Sequence, residues 1–202
     1  MAVEYNQTFL SKQDLEKKIV GLLNLNAYNK VLSAYEIAED VHSLQKRRDG
    51  SLLFFHVTRA TKIIIDELLI VDSDLLCTAL LHDTLENSTN ITSETLRYNF
   101  GDKVLNIVEL LTIKSKEEFN ANPQNINRYI EELSKAPVEA IILKLVDRLD
   151  NFRCLRYGLK LNPVSFIEET CQKFVPLIDL HKHFALDKLK ELIFFEKTKF
   201  FN

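Results

Sequence analysis

Ile141-Ile142-Leu143-Lys144-Leu145-Val146-Asp147-Arg148-Leu149-Asp150-Asn151-Phe152-Arg153 is the stretch on which the fold turns. Its apolar residues Ile142, Leu145, Leu149 and Phe152 recur at intervals of three and four, the period of an α-helix, while Lys144, Asp147, Arg148 and Asn151 share the opposite arc. One face belongs in a core and the other has chemistry to offer. The same spacing continues outward through Leu15, Ile19, Leu22 and Leu23, through Val57, Ile63, Ile64, Leu68 and Leu69, and through Val104, Ile107, Val108, Leu110 and Leu111. Four glycines and four prolines in 202 residues are too few turn-formers for a sandwich or barrel. The fold class expected is all-α, with eight or nine helices. Pro137 and Pro163 stand where a first helical turn tolerates proline, Gly101 ends the short segment Glu94 to Phe100, and Asp187 to Phe201 forms a terminal helix. No repeat or long linker divides the chain, so residues 1–202 are expected to form a single domain.

Charge and composition narrow the function. A formal net charge of −3 gives no broad field for DNA or an anionic membrane, so neither nucleic acid nor a membrane is an expected partner. Lys62, Asp66, Glu67, Asp72 and Asp74 interrupt the richest apolar region, and Met1 to Asn6 lacks the basic start of a signal peptide. Cys77, Cys154 and Cys171 are few, odd in number and scattered, as befits reduced thiols; the cytoplasm is the expected location. No dinucleotide fingerprint, phosphate-cradling loop, nucleophile elbow or His-Glu-x-x-His pair occurs.

Three places break local rules. The all-apolar segment Leu75 to Leu81 runs straight into His82, Asp83 and Glu86, two carboxylates near a helix C-terminus where the dipole opposes them. The polar arc of 141–153 is the second. The third is the cationic turn Gln45-Lys46-Arg47-Arg48-Asp49-Gly50, followed by His56. Each alone reads as a solvated face, a helix end emerging into water or a structural histidine. Together they fit two imidazoles and two carboxylates for a divalent metal, a further carboxylate nearby, and cations for phosphate.

In this order the residues resemble the HD-domain phosphohydrolases, and among them the hydrolase domain of the RelA/SpoT-type alarmone enzymes. The resemblance runs over about Tyr35 to Leu189: His42-x-x-Gln45-x-Arg47-x-x-Gly50 and His56; Leu80-Leu81-His82-Asp83-Thr84-x-Glu86-Asn87; Phe100-Gly101; Lys144-Leu145-x-Asp147-Arg148-Leu149-x-Asn151-x-Arg153; and Glu169-Thr170 before Pro176-Leu177. It implies a compact HD-domain bundle in a stand-alone small alarmone hydrolase. It further implies that His56, His82, Asp83 and Asp147 hold one manganese ion, Mn2+, and that Glu86 with Asn87 serves catalysis. Arg47, Arg48, Asn151 and Thr170 would bind the nucleotide. The implied reaction is Mn2+-dependent hydrolysis of the 3′-pyrophosphate of ppGpp or pppGpp to GDP or GTP. His181 and His183 match no second set of ligands, which favours one ion.

The chain also departs from that family. Asn87 replaces an aspartate and cannot accept a proton at neutral pH, so proton transfer falls on Glu86 and slower turnover is expected. Asp150 replaces a histidine; lying off the polar arc, it reads as a tolerable change. Cys154 replaces a threonine that contacts the nucleoside, Phe174 a tyrosine, and Leu52-Leu53 a Pro-Tyr pair. Competing readings keep the metal site with pppApp or the 2′-phosphate of NADPH as substrate, make the domain an alarmone-binding sensor, or make it a metal-free helical adaptor. Oligomeric state, a homo-oligomer included, stays open.

Overall fold

A computed structural model describes residues 3–113, 115, 119 and 122–201. Among these residues the regular structure is helical, and the one β-type pairing is an isolated bridge between Lys46 and Leu52. In chain order the helices are α1 (Lys12–Ile19), α2 (Leu25–His42), α3 (Leu53–Asp66), α4 (Ser73–Leu81), the single turn α5 (Thr84–Asn87), α6 (Ser93–Leu111), α7 (Pro123–Ser134), α8 (Val138–Cys154), α9 (Pro163–Glu169) and α10 (Phe184–Phe201). This is the all-α fold expected, with α5 a short addition to the predicted set.

Local sequence explains the boundaries. Ser11, Asn24, Asp72, Thr92 and Asn162 each turn a side-chain oxygen to a backbone N–H of the first turn they precede, satisfying a donor the helix cannot pair itself. Gly101 breaks α6 with φ 82 and ψ 171, a conformation an L side chain resists, so the helix kinks where the sequence placed an end.

The apolar helix α4 lies at the centre, packed by α2, α3, α6 and α8. All of Leu75 to Leu81 is buried, and Thr78 is accommodated because its hydroxyl donates back to Asp74 O. Helix α8 presents Ile142, Leu145, Leu149 and Phe152 to the same core and also packs on α10. At its far end Arg153 donates to both carboxylate oxygens of Glu67 and to Glu196, tying α8 to the end of α3 and to α10. No described helix is long and apolar enough to cross a membrane. Packing of α3, α4 and α8 thus brings the first turn of α3, the C-terminus of α4 and the polar arc of α8 together.

Candidate active site

The core-burying pattern of α4 forces its C-terminus inward. His82 caps that helix, Asp83 makes the hinge into α5, and Glu86 follows on the short turn. Helix α3 brings His56 in its first turn, and α8 brings Asp147 from its polar arc. The ligand atoms of His56, His82 and Asp83 all lie within 4.8 Å of one another. Asp147 Oδ1 is 3.3 Å from His56 Nε2, so the fourth expected residue stands beside His56, outside the trio whose ligand atoms are all mutually that close.

Both imidazoles have their tautomers set. His82 Nδ1 lies 2.8 Å from Ala79 O, and a carbonyl only accepts, so Nδ1 carries the proton and Nε2 keeps a lone pair. That Nε2 is buried without a hydrogen-bond partner, a costly state that a cation would relieve. His56 Nδ1 lies 2.7 Å from Asp150 Oδ2, which leaves its Nε2 facing Asp83 and Asp147. Two nitrogen and two carboxylate donors of this kind fit a transition-metal dication such as Mn2+. Burial and Arg47 push the His56 pKa down, yet Asp147 and Asp150 outweigh them and raise it. A field that favours a proton there favours a divalent cation too.

Asp147 is held on both oxygens. Lys144 donates to Oδ2 at 3.1 Å, and Asn151 Nδ2 donates to Oδ1 at 2.7 Å. Burial would raise its carboxyl, but Lys144 and His56 hold it well below the usual carboxylate range. Arg47 Nη2 donates in turn to Asn151 Oδ1. Arg47 therefore acts partly as an internal clamp, with its side chain 9% exposed.

Beside this cluster opens a cavity of about 530 Å³. Arg47, Arg48, Lys144 and Arg148 line it together with Glu86, Asn87 and Asn151, so the predicted polar arc of α8 does face it. Phe166, Phe174, Tyr129 and Leu111 supply an apolar wall. Arg48 is exposed on a tight turn that Gly50 makes, at φ 79, with Arg47 N donating to Ser51 O. Asn87 is exposed, its side chain donating to Asp83 O and its carbonyl accepting from Gln45 Nε2. These bonds brace the turn that carries Glu86.

Thr170 is placed differently from the other candidates. It is fully buried, outside the cavity lining; its hydroxyl accepts from Arg148 Nε and donates to Phe166 O. Arg148 also pairs with Glu169 at 2.7 Å and stacks between Phe166 and Phe174, 4.4 and 3.8 Å from their ring centroids. Thr170 thus reaches the cavity only through Arg148. Cys154 is likewise buried and outside the cavity lining, with Sγ 3.5 Å from Arg59 Nη2.

The residue that sequence reasoning undervalued is Asp150. It does lie off the polar arc, as expected, and it is fully buried there, accepting from Tyr5, His56 and Arg59. Arg59, itself 1% exposed, was missed too. The one local signal was a charged residue on the wrong side of each amphipathic helix.

A GTP pyrophosphokinase of Streptomyces coelicolor is 34% identical over 146 residues, covering 71% of this chain and 17% of that protein. A guanosine-3′,5′-bis(diphosphate) 3′-pyrophosphohydrolase of Aquifex aeolicus is 32% identical over 171 residues, 83% of this chain and 24% of that one. The chain therefore spans about a fifth of the length of these curated relatives. A solved structure described as a metazoan ortholog of SpoT that hydrolyzes ppGpp superposes with a TM-score of 0.69 at 25% identity, covering 83% of this chain and 95% of that one. A family model described as an HD domain matches residues 34–178, which include every residue of the cluster above: the chain belongs to the HD-domain family.

Proposed function

We propose that this chain hydrolyses the bond between the 3′ oxygen and the pyrophosphate of ppGpp or pppGpp, releasing pyrophosphate and leaving GDP or GTP, with one Mn2+ held by His56, His82, Asp83 and Asp147. The observation that supports it most is the convergence of two imidazole Nε2 atoms with two carboxylates, from three different helices, at the edge of a cation-lined cavity. The ion would supply Lewis acidity, polarising a phosphoryl oxygen and easing deprotonation of water.

The chain's own groups do the rest. Glu86, on the turn after Asp83, accepts the proton of the attacking water at its carboxylate. Asn87 braces that turn and positions water by hydrogen bonds. Arg47, Arg48 and Arg148 neutralise the phosphates, and Phe166 and Phe174 give the base an apolar wall. Lys144 and Asn151 hold Asp147 in place. The names of the similar proteins include a ppGpp pyrophosphohydrolase and a ppGpp-hydrolysing SpoT ortholog, and those substrates are carried to this chain here as a proposal. The pyrophosphokinase name belongs to a relative of which this chain spans 17%. A small nucleotide substrate and three free thiols suit the cytoplasm.

The test is a substrate panel on metal-stripped, then Mn2+-replenished, protein: ppGpp, pppGpp, pppApp and NADPH, with pyrophosphate and orthophosphate distinguished. Mn2+-dependent pyrophosphate from the guanosine alarmones is the expected result. Pyrophosphate from pppApp alone would change the base, orthophosphate from NADPH alone would make the chain a 2′-phosphatase, and binding without product would make it a sensor.

A further inference from the structure

Asp150 has no exposed surface and yet carries five donors. Its Oδ1 accepts from Tyr5 Oη at 2.8 Å and Arg59 Nε at 2.7 Å; its Oδ2 accepts from Arg59 Nη2 at 3.0 Å, His56 Nδ1 at 2.7 Å and, more weakly, Arg47 Nη1 at 3.4 Å. A carboxylate so surrounded is ionised and has acceptor capacity only. The proton between Asp150 and His56 must therefore sit on His56 Nδ1. In the neutral ring the opposite nitrogen, Nε2, is then a lone pair, and it faces Asp83 at 3.8 Å and Asp147 at 3.3 Å.

Arg59 explains how the anion can be buried. It is on the same helix as His56, one turn on, and it forms a two-point pair with Asp150 while Nη1 donates to Asn6 O and Thr8 O. A buried carboxylate without such a partner would neutralise or unfold its surroundings. Here the choice of aspartate and the presence of Arg59 make one device.

We propose that Asp150 is a positioning residue: with Arg59 as its counter-charge, it fixes His56 with Nδ1 protonated and Nε2 aimed at the point where Asp83 and Asp147 converge. This rests on the reading of His56 as a metal ligand for its consequence, but not for its geometry. A carboxylate behind a ligating imidazole also raises its basicity, so loss of Asp150 should cost about 10–100-fold in metal affinity.

The experiment uses the full chain with 15N-labelled histidine. Long-range 1H–15N correlation on the metal-free protein, at alkaline pH where the ring is neutral, reads the tautomer of His56 directly, and titration with Mn2+ alone reads affinity. The wild type is expected to show Nδ1 protonated. Asp150→Asn, whose amide can turn its NH2 toward the ring, is expected to lose that single form and to bind Mn2+ about 10–100-fold more weakly. A wild type with Nε2 protonated, or an Asp150→Asn protein with both tautomer and affinity unchanged, overturns the proposal. If Asp150→Asn does not fold, the wild-type spectrum alone decides between these outcomes. A wild type with Nδ1 protonated that binds no Mn2+ upholds the Asp150 contact and overturns the metal reading of the site.

Discussion

His56 and His82 meet edge to face, their ring centroids 5.2 Å apart and their planes at 71°, one in the first turn of α3 and the other at the end of α4. Their Nδ1 atoms point away to Asp150 and Ala79, so their Nε2 atoms share one neighbourhood. Packing of α3 on α4 thereby makes a donor pair that neither helix holds alone.

The ion should consequently bridge separate helices and stabilise the fold. Mn2+ at a hundred times its Kd is expected to add about 2.7 kcal/mol to the wild type, visible as a higher Tm. In His82→Ala that increment should disappear. An equal Mn2+-dependent rise in both proteins would remove His82 from the ligand set.

Glu86→Gln keeps size and hydrogen bonding but cannot take a proton. It should retain Mn2+ binding and lose about 10²–10⁴-fold in kcat. An unchanged kcat would exclude Glu86 as the base. Asn87→Asp in the wild-type background checks the neighbouring role: faster turnover is expected if a second carboxylate helps, although the substitution forfeits the bond that Asn87 donates to Asp83 O.

Why some of this was legible from sequence and some was not follows from the range of the interactions. The arc Lys144, Asp147, Arg148 and Asn151 obeys helical period, and all four do line the cavity. His82 and Asp83 betrayed themselves as polar residues ending an apolar run that burial forces inward. Asp150 betrayed nothing of its role, because its partners Arg59 and Tyr5 stand 91 and 145 residues away and no local pattern pairs them. Arg47 was read as a hand for phosphate, which its place on the cavity permits, while its bond to Asn151 arises only when the turn folds back on α8.

Thr170 offers a clean separation of contact from support. Because its hydroxyl is spent on Arg148 and Phe166 O, Thr170→Val should cost about 1 kcal/mol in chemical denaturation and raise KM only as far as Arg148 loosens. A tenfold rise in KM at unchanged stability would mean that the hydroxyl touches substrate.

Asp150 also predicts an acid signature. Burial would raise its carboxyl, but Arg59 and His56 hold it far below the usual range, so its folded pKa is depressed. A depressed group contributes stability that is complete above its unfolded value of about 3.9 and is lost as pH falls below that value. Metal-free Asp150→Asn should therefore be less stable than the wild type by about 3–5 kcal/mol near neutrality, with the gap shrinking below about pH 4. Melting curves that stay parallel into acid would contradict it.

The most direct test of the central claim is 31P NMR of ppGpp with the metal-free chain before and after addition of Mn2+. The account predicts no change before addition, and afterwards loss of the 3′-pyrophosphate signals with matched growth of free pyrophosphate and GDP. Persistence of ppGpp with Mn2+ bound, or release of orthophosphate in place of pyrophosphate, would contradict it.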